Sequence, residues 1–230
     1  MIALLILAAT SAFGQKSELL LGIELGPTYT FYRGNEILEA LNKPAYRYFG
    51  GMSIEYKVKN RFSIQTDISY ERKGTVARGM NPYFNVDTFL SIENQEFHTR
   101  SYLDYIIIPL LLKVETGNKV SFYIEGGGFI GFLLDARFVT TGDTIAKKTE
   151  NFTKQNMKND LGVSFGLGFN IKIDRNKFLT LGLRNNLGLV SIANTLVYKN
   201  GAIKSNSTNL VLGYKCDIIN IQRGFQFHSW

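Results

Sequence analysis

The sequence predicts an all-β fold: an eight-stranded antiparallel up-and-down transmembrane β-barrel with short periplasmic turns and long extracellular loops. Three observations predict it. Eight segments alternate apolar with polar or small residues, the connections are short and long in turn, and aromatic residues gather near both ends of the apolar faces. Average composition hides this pattern. With 45% hydrophobic and 20% charged residues among 230, and a mean hydropathy of -0.04, the chain would pass for a soluble globule. In a membrane barrel, however, lipid-facing and lumen-facing residues cancel along each strand.

The chain opens with an apolar run, residues 2–9, too short for the roughly 20 residues a spanning helix needs. Small residues at Ala12 and Gly14 follow, so residues 1–14 are expected to be an export signal cut before Gln15, although no lysine or arginine precedes the run. The barrel is expected over 15–217, with 218–230 a C-terminal tail or an extension of the last strand.

The first strand places Leu19, Leu21, Ile23, Leu25, Pro27, Tyr29 and Phe31 on one face, against Glu18, Leu20, Gly22, Glu24, Gly26, Thr28 and Thr30. The second sets Tyr48, Met52, Ile54, Tyr56 and Val58 against Arg47, Phe49, Gly51, Ser53, Glu55 and Lys57, and the third sets Phe62, Ile64, Ile68 and Tyr70 against Ser63, Gln65, Asp67, Ser69 and Glu71. The fourth, Tyr102 to Val114, is apolar on both faces around Ile106, Ile107 and Ile108. Ser121, Tyr123, Glu125, Gly127 and Gly131 mark the polar face of the fifth; Asp160, Gly162, Ser164, Gly166, Gly168 and Asn170 mark that of the sixth. The seventh runs Leu179 to Leu189 with Thr180, Gly182, Arg184, Asn186 and Gly188 opposed. The eighth carries Leu210, Leu212 and Tyr214 against Asn209, Gly213, Lys215 and Asp217.

Tight turns are expected at 59–61, 115–119 and 174–177, and long loops at 33–46, 74–101, 136–159 and 193–208. A short helix on the rim is one reading of Ile37 to Leu41 and a packed loop the other. Two aromatic belts are expected, Tyr56, Phe62, Phe122 and Tyr214 toward the short turns and Tyr29, Phe31, Tyr48, Tyr70, Tyr102 and Phe132 toward the long loops. Glycine decides which face points inward. A narrow lumen needs small residues beside large ones, so the glycine-rich polar face is expected inside. Glu24, Glu55, Lys57, Asp67, Glu71, Glu125, Arg184 and Lys215 would then form a structural charge network there.

Several chemistries are disfavoured. Cys216 is the sole cysteine and His98 and His228 the sole histidines, which removes cysteine-based zinc sites and disulfides within the chain. No metal or other cofactor is expected. The net charge of +7 comes from dispersed cations without a basic run, so no nucleic-acid partner is expected. Gly126-x-Gly128-x-x-Gly131 matches the dinucleotide fingerprint by letter, but continuing strand alternation replaces the required helix.

The segment Tyr102-Leu103-Asp104-Tyr105-Ile106-Ile107-Ile108-Pro109-Leu110-Leu111-Leu112-Lys113, with Tyr123 to Gly128 and Leu183 to Leu189, resembles the PorT-like family of small outer-membrane β-barrels. That resemblance implies a Gram-negative outer-membrane location and a link to type IX protein secretion. The tail after Cys216 departs from the family's usual ending at an aromatic residue of the last strand. Expected partners are outer-membrane lipid, the barrel-insertion machinery and other outer-membrane or secretion-system proteins. The leading expectation is a non-enzymatic barrel with a structural, accessory or interaction role. Two alternatives stay open: a lipid-modifying enzyme using loop residues His98, Ser101 and Asp104, and a small pore.

Overall fold

The computed structural model describes residues 18–34, 39, 42–59, 61–78, 97–142, 147–194 and 201–219. The expected export signal, most of the segment 37–41, the centre of the second long loop and residues 220–230 of the tail lie outside them. The strands are β1 (Glu18–Arg33), β2 (Asn42–Lys59), β3 (Phe62–Lys73), β4 (Thr75–Arg78), β5 (Phe97–Gly117), β6 (Val120–Gly142), β7 (Lys148–Asn151), β8 (Asn159–Asp174), β9 (Lys177–Gly188) and β10 (Lys204–Asp217). β4 continues β3 beyond Gly74, whose φ of 141° turns the chain where Ser101 O leaves no room for a Cβ. β7 is a short addition along the upper part of β6.

Each neighbour pairs antiparallel, and β1 pairs both β2 and β10, from Leu20 opposite Asp217 to Arg33 opposite Lys204. With β3 on β5, β5 on β6, β6 on β8, and β8 and β10 on β9, eight long strands close a ring without an open edge. At 12 to 23 residues, these strands are long enough for a tilted membrane crossing of roughly 9–11 residues. Tight turns join β2 to β3, β5 to β6 and β8 to β9 at one end, as the sequence predicts.

Burial follows the alternation and sets the sides. Ile23, Met52, Ile68, Leu110, Leu112, Phe165 and Leu167 point outward and are exposed, while Glu24, Glu55, Asp67, Glu125, Ser164 and Arg184 are buried. The molecule is thus apolar outside and polar inside, the reverse of a soluble barrel. Glycine makes the narrow interior possible. A Cβ on Gly182 would sit 2.2 Å from the Tyr123 hydroxyl, and one on Gly127 would sit 1.9 Å from Leu110 O. On the outer wall, Gly128 has only Gly162 O at 3.6 Å.

At the long-loop end the strands run further than the alternation predicts. Residues 42–46, 97–101 and 136–142 are strand rather than loop, and they stand above the apolar band as a paired wall. The register between β5 and β6 shifts at Asp104 and Tyr105, leaving Leu134 unpaired. This bulge reverses the alternation of β6 above it and bends the strand.

Candidate functional site: the charged lumen and its rim

The barrel interior is filled in tiers. Near the middle, Arg184 on β9 donates from Nε to Glu125 Oε1 at 2.6 Å and from a terminal nitrogen to Asp67 Oδ2 at 2.6 Å, and lies 3.1 Å from Glu24 Oε2. Lys215 Nζ lies 3.2 Å from Glu24 Oε1, 2.9 Å from Glu55 Oε2 and 2.8 Å from Gln65 Oε1. Lys113 Nζ reaches Glu55 Oε2 at 3.1 Å and sits 4.0 Å above the Tyr123 ring. The Gln65 amide donates to Glu24 and Asp67, both at 2.9 Å, which ties the two cationic centres together.

A second tier lies toward the long loops. Lys73 Nζ is 3.0 Å from Asp160 Oδ2 and 3.9 Å from Glu71 Oε1, and Ser205 bridges to the same Asp160 carboxylate. Asn186 and Asn209 donate to Glu71 Oε2 at 2.9 and 3.1 Å. Beside this tier, Leu103, Tyr105, Ile107, Phe129, Ala136 and Ile192 form a buried apolar cluster, with Tyr32, Phe152 and Ile203 packed against it; Leu103 and Tyr105 pair with Lys73 and Glu71, and Lys73 Nζ lies 5.4 and 5.1 Å from the Tyr105 and Phe129 rings. Charged pairs, and at the upper tier an apolar cluster beside them, therefore fill the bore. An eight-stranded barrel is just wide enough for such side chains.

Seven of the eight residues singled out from the sequence meet in these tiers: Glu24, Glu55, Asp67, Glu71, Glu125, Arg184 and Lys215. Lys57 does not. It stands at the mouth among the short turns, 3.1 Å from Glu18 Oε2 and 5.0 Å above the Phe178 ring, where the last pairs of β2 slip at Lys57 and Lys59. Sequence reasoning missed Lys73, Lys113 and Asp160 as members. Asp160 was already visible on the polar face of its segment, but Lys113 sat in a strand apolar on both faces, where no inward side could be chosen.

His98, Ser101 and Asp104, expected in a loop, instead lie in β5. Ser101 points inward and is buried, where its hydroxyl meets the Tyr32 hydroxyl at 3.1 Å and accepts from Thr75 N at 2.8 Å. Asp104 lies on the outer wall, accepting two hydrogen bonds from Arg72 at 2.6 and 2.9 Å. Six residue steps along the strand separate His98 from Asp104, roughly 20 Å at about 3.3 Å each. The three thus cannot assemble one reacting centre. Gly126, Gly128 and Gly131 belong to continuous strand β6, with no helix to cradle a phosphate. Among the described residues, no group of three or more His, Cys, Asp or Glu is placed to hold a metal ion.

An apolar outer wall around a charged bore is the inside-out arrangement of a membrane barrel, and residues 13–194 match the family model for the outer membrane protein beta-barrel domain. The chain belongs to that family. Its place as an outer-membrane β-barrel is the Gram-negative outer membrane, with the short turns on the periplasmic side. Among solved structures, it is similar to Neisserial surface protein A at 10% identity and a TM-score of 0.45, over 89% of this chain and 100% of that one. It is also similar to Ail, the attachment invasion locus protein of Yersinia pestis, at 12% identity and a TM-score of 0.39, covering 86% and 99%. The outer membrane protein OprG from Pseudomonas aeruginosa matches at 9% identity and a TM-score of 0.41, covering 87% and 96%. No curated protein matches the chain.

Proposed function

We propose that this outer-membrane barrel is non-enzymatic and sealed, and that it serves a structural or accessory role through the strand extensions and loops on its outer side. The observation that carries this reading is the filled bore. Two tiers of paired charges, with an apolar cluster packed beside the upper one, fill the barrel axis with side chains. Paired strands above the band, from β2, β4, β5, β6 and β7, supply a firm outer surface on which a partner could be held. The resemblance of the Tyr102 to Lys113 segment to PorT-like barrels directs the search for that partner toward the type IX secretion apparatus.

Planar-bilayer recording tests the seal. The refolded barrel should give a flat trace, whereas stable unitary conductance would overturn the closed reading in favour of the pore. Crosslinking in native membranes tests the accessory role. Recovery of secretion-system components supports it, and recovery of no protein partner from intact membranes counts against it.

A further inference from the structure

An open cleft of about 470 Å³ lies on the outer wall above the apolar band, lined in part by Arg72, Arg100, Tyr102, Arg137, Lys147 and Thr149. Alternation explains why these residues share one wall. Arg72 follows Ile68 and Tyr70 on the outward side of β3, and Arg100 and Tyr102 precede Ile106 and Leu110 on that of β5. The bulge at Leu134 then brings Arg137 and Val139 outward on β6, the side their pairing with Tyr102 and Arg100 requires. Were Leu134 paired and the alternation carried on unbroken from Phe132, Arg137 would point into the bore.

The height of the cleft is set by the aromatic belt. Tyr48 and Tyr70 meet at 6.0 Å between ring centres, and Arg72 lies 5.4, 6.0 and 5.5 Å from the rings of Tyr48, Tyr70 and Tyr102. Such rings settle where the hydrocarbon meets the headgroups, so the cations stand at headgroup level on the outer leaflet. Asp104 holds Arg72 by two hydrogen bonds and lies 3.1 Å from Arg137, while Arg137 is also 3.5 Å from Asp135. These contacts fix two guanidinium groups in position. No carboxylate among the described residues pairs with Arg100 or Lys147, so the four cations outnumber the two carboxylates beside them.

Forked guanidinium donors suit phosphate oxygens, and a basic cleft beside lipid is the usual way a membrane protein holds an anionic headgroup. Directly below lie outward Ile106, Phe132 and Leu134, a surface for acyl chains. We propose that the cleft binds the phosphate of a phosphorylated glycolipid of the outer leaflet, with its acyl chains against these three residues. The binding is independent of whether the loops recruit a protein partner.

The test uses the full refolded barrel in detergent micelles, titrated with phosphorylated lipid A. Arg100→Gln with Lys147→Gln should weaken binding about thirtyfold, as expected for the loss of two headgroup cations. Lys172→Gln with Arg175→Gln, at the periplasmic mouth, should leave it unchanged. Both variants should keep their heat-dependent gel shift, and dephosphorylated lipid A should bind the wild type at least as weakly as phosphorylated lipid binds the cleft variant, which keeps Arg72 and Arg137. Equal affinity of wild type and cleft variant, or equal affinity for the two lipids, would overturn the proposal. Displacement of lipid A by millimolar inorganic phosphate would overturn it too, by showing a site for free anions rather than for lipid.

Discussion

Arg184→Met probes the lumen most sharply, because one side chain there faces three carboxylates: Glu125 and Asp67 each at 2.6 Å, and Glu24 at 3.1 Å. All four groups are nearly inaccessible to solvent. Removing one partner of a buried ion pair costs about 3–5 kcal/mol, because the stranded charge has neither water nor a counter-ion. Lys215 remains near Glu24 but makes no contact with Glu125, so the loss should fall in that range rather than vanish. Urea titration of the barrel refolded in phospholipid vesicles, read by circular dichroism and by heat-dependent gel mobility, measures it. Adding Asp67→Asn and Glu125→Gln to Arg184→Met should restore most of the stability, since a bore without the excess charge no longer needs the guanidinium. A single-variant loss below about 1 kcal/mol would refute the reasoning, because it would mean that Arg184 is solvated or that the tier does not form.

Two further substitutions separate the inner wall from the outer. Gly182→Val should destabilise by about 1–3 kcal/mol through overpacking against Tyr123, whereas Gly128→Ala on the lipid side should fall within about 0.5 kcal/mol of wild type in the same titration. Leu110→Arg, outward and opposite Thr66 midway along the β3–β5 pairing, should cost about 2–4 kcal/mol. Tyr46→Arg, above the band on β2, should cost less than about 1 kcal/mol, and equal losses at the two sites would contradict the placement of the bilayer.

The ring of strands was legible because most of the segments obey a period of two without interruption, and glycine on their polar side settled which face turns inward. Legibility failed where a second demand was laid on the same strand. β5 is apolar on both faces because Ile106 and Ile108 meet lipid while Leu103, Tyr105 and Ile107 build the apolar cluster inside the bore. That double burial hid the inward direction of Lys113. The upper strand extensions look like loops in the sequence for a similar reason. Gly74 breaks β3 from β4, and the extra residue Leu134 shifts the phase of β6, so the alternation breaks where the strand continues. The cationic cleft depends on that same phase shift, which no spacing rule along the sequence could reveal.

The central claim is that the apolar faces meet lipid and the polar faces meet one another, and β8 offers the most direct measurement. In a Cys216→Ser background, single cysteines placed in turn from Leu161 to Ile171 would carry spin labels in phospholipid vesicles, with oxygen and a water-soluble relaxation agent as probes. The account predicts a period of two, with 161, 163, 165, 167, 169 and 171 open to oxygen and the intervening positions shielded from both agents. Water-soluble access at the first set, or the absence of any alternation, would contradict it.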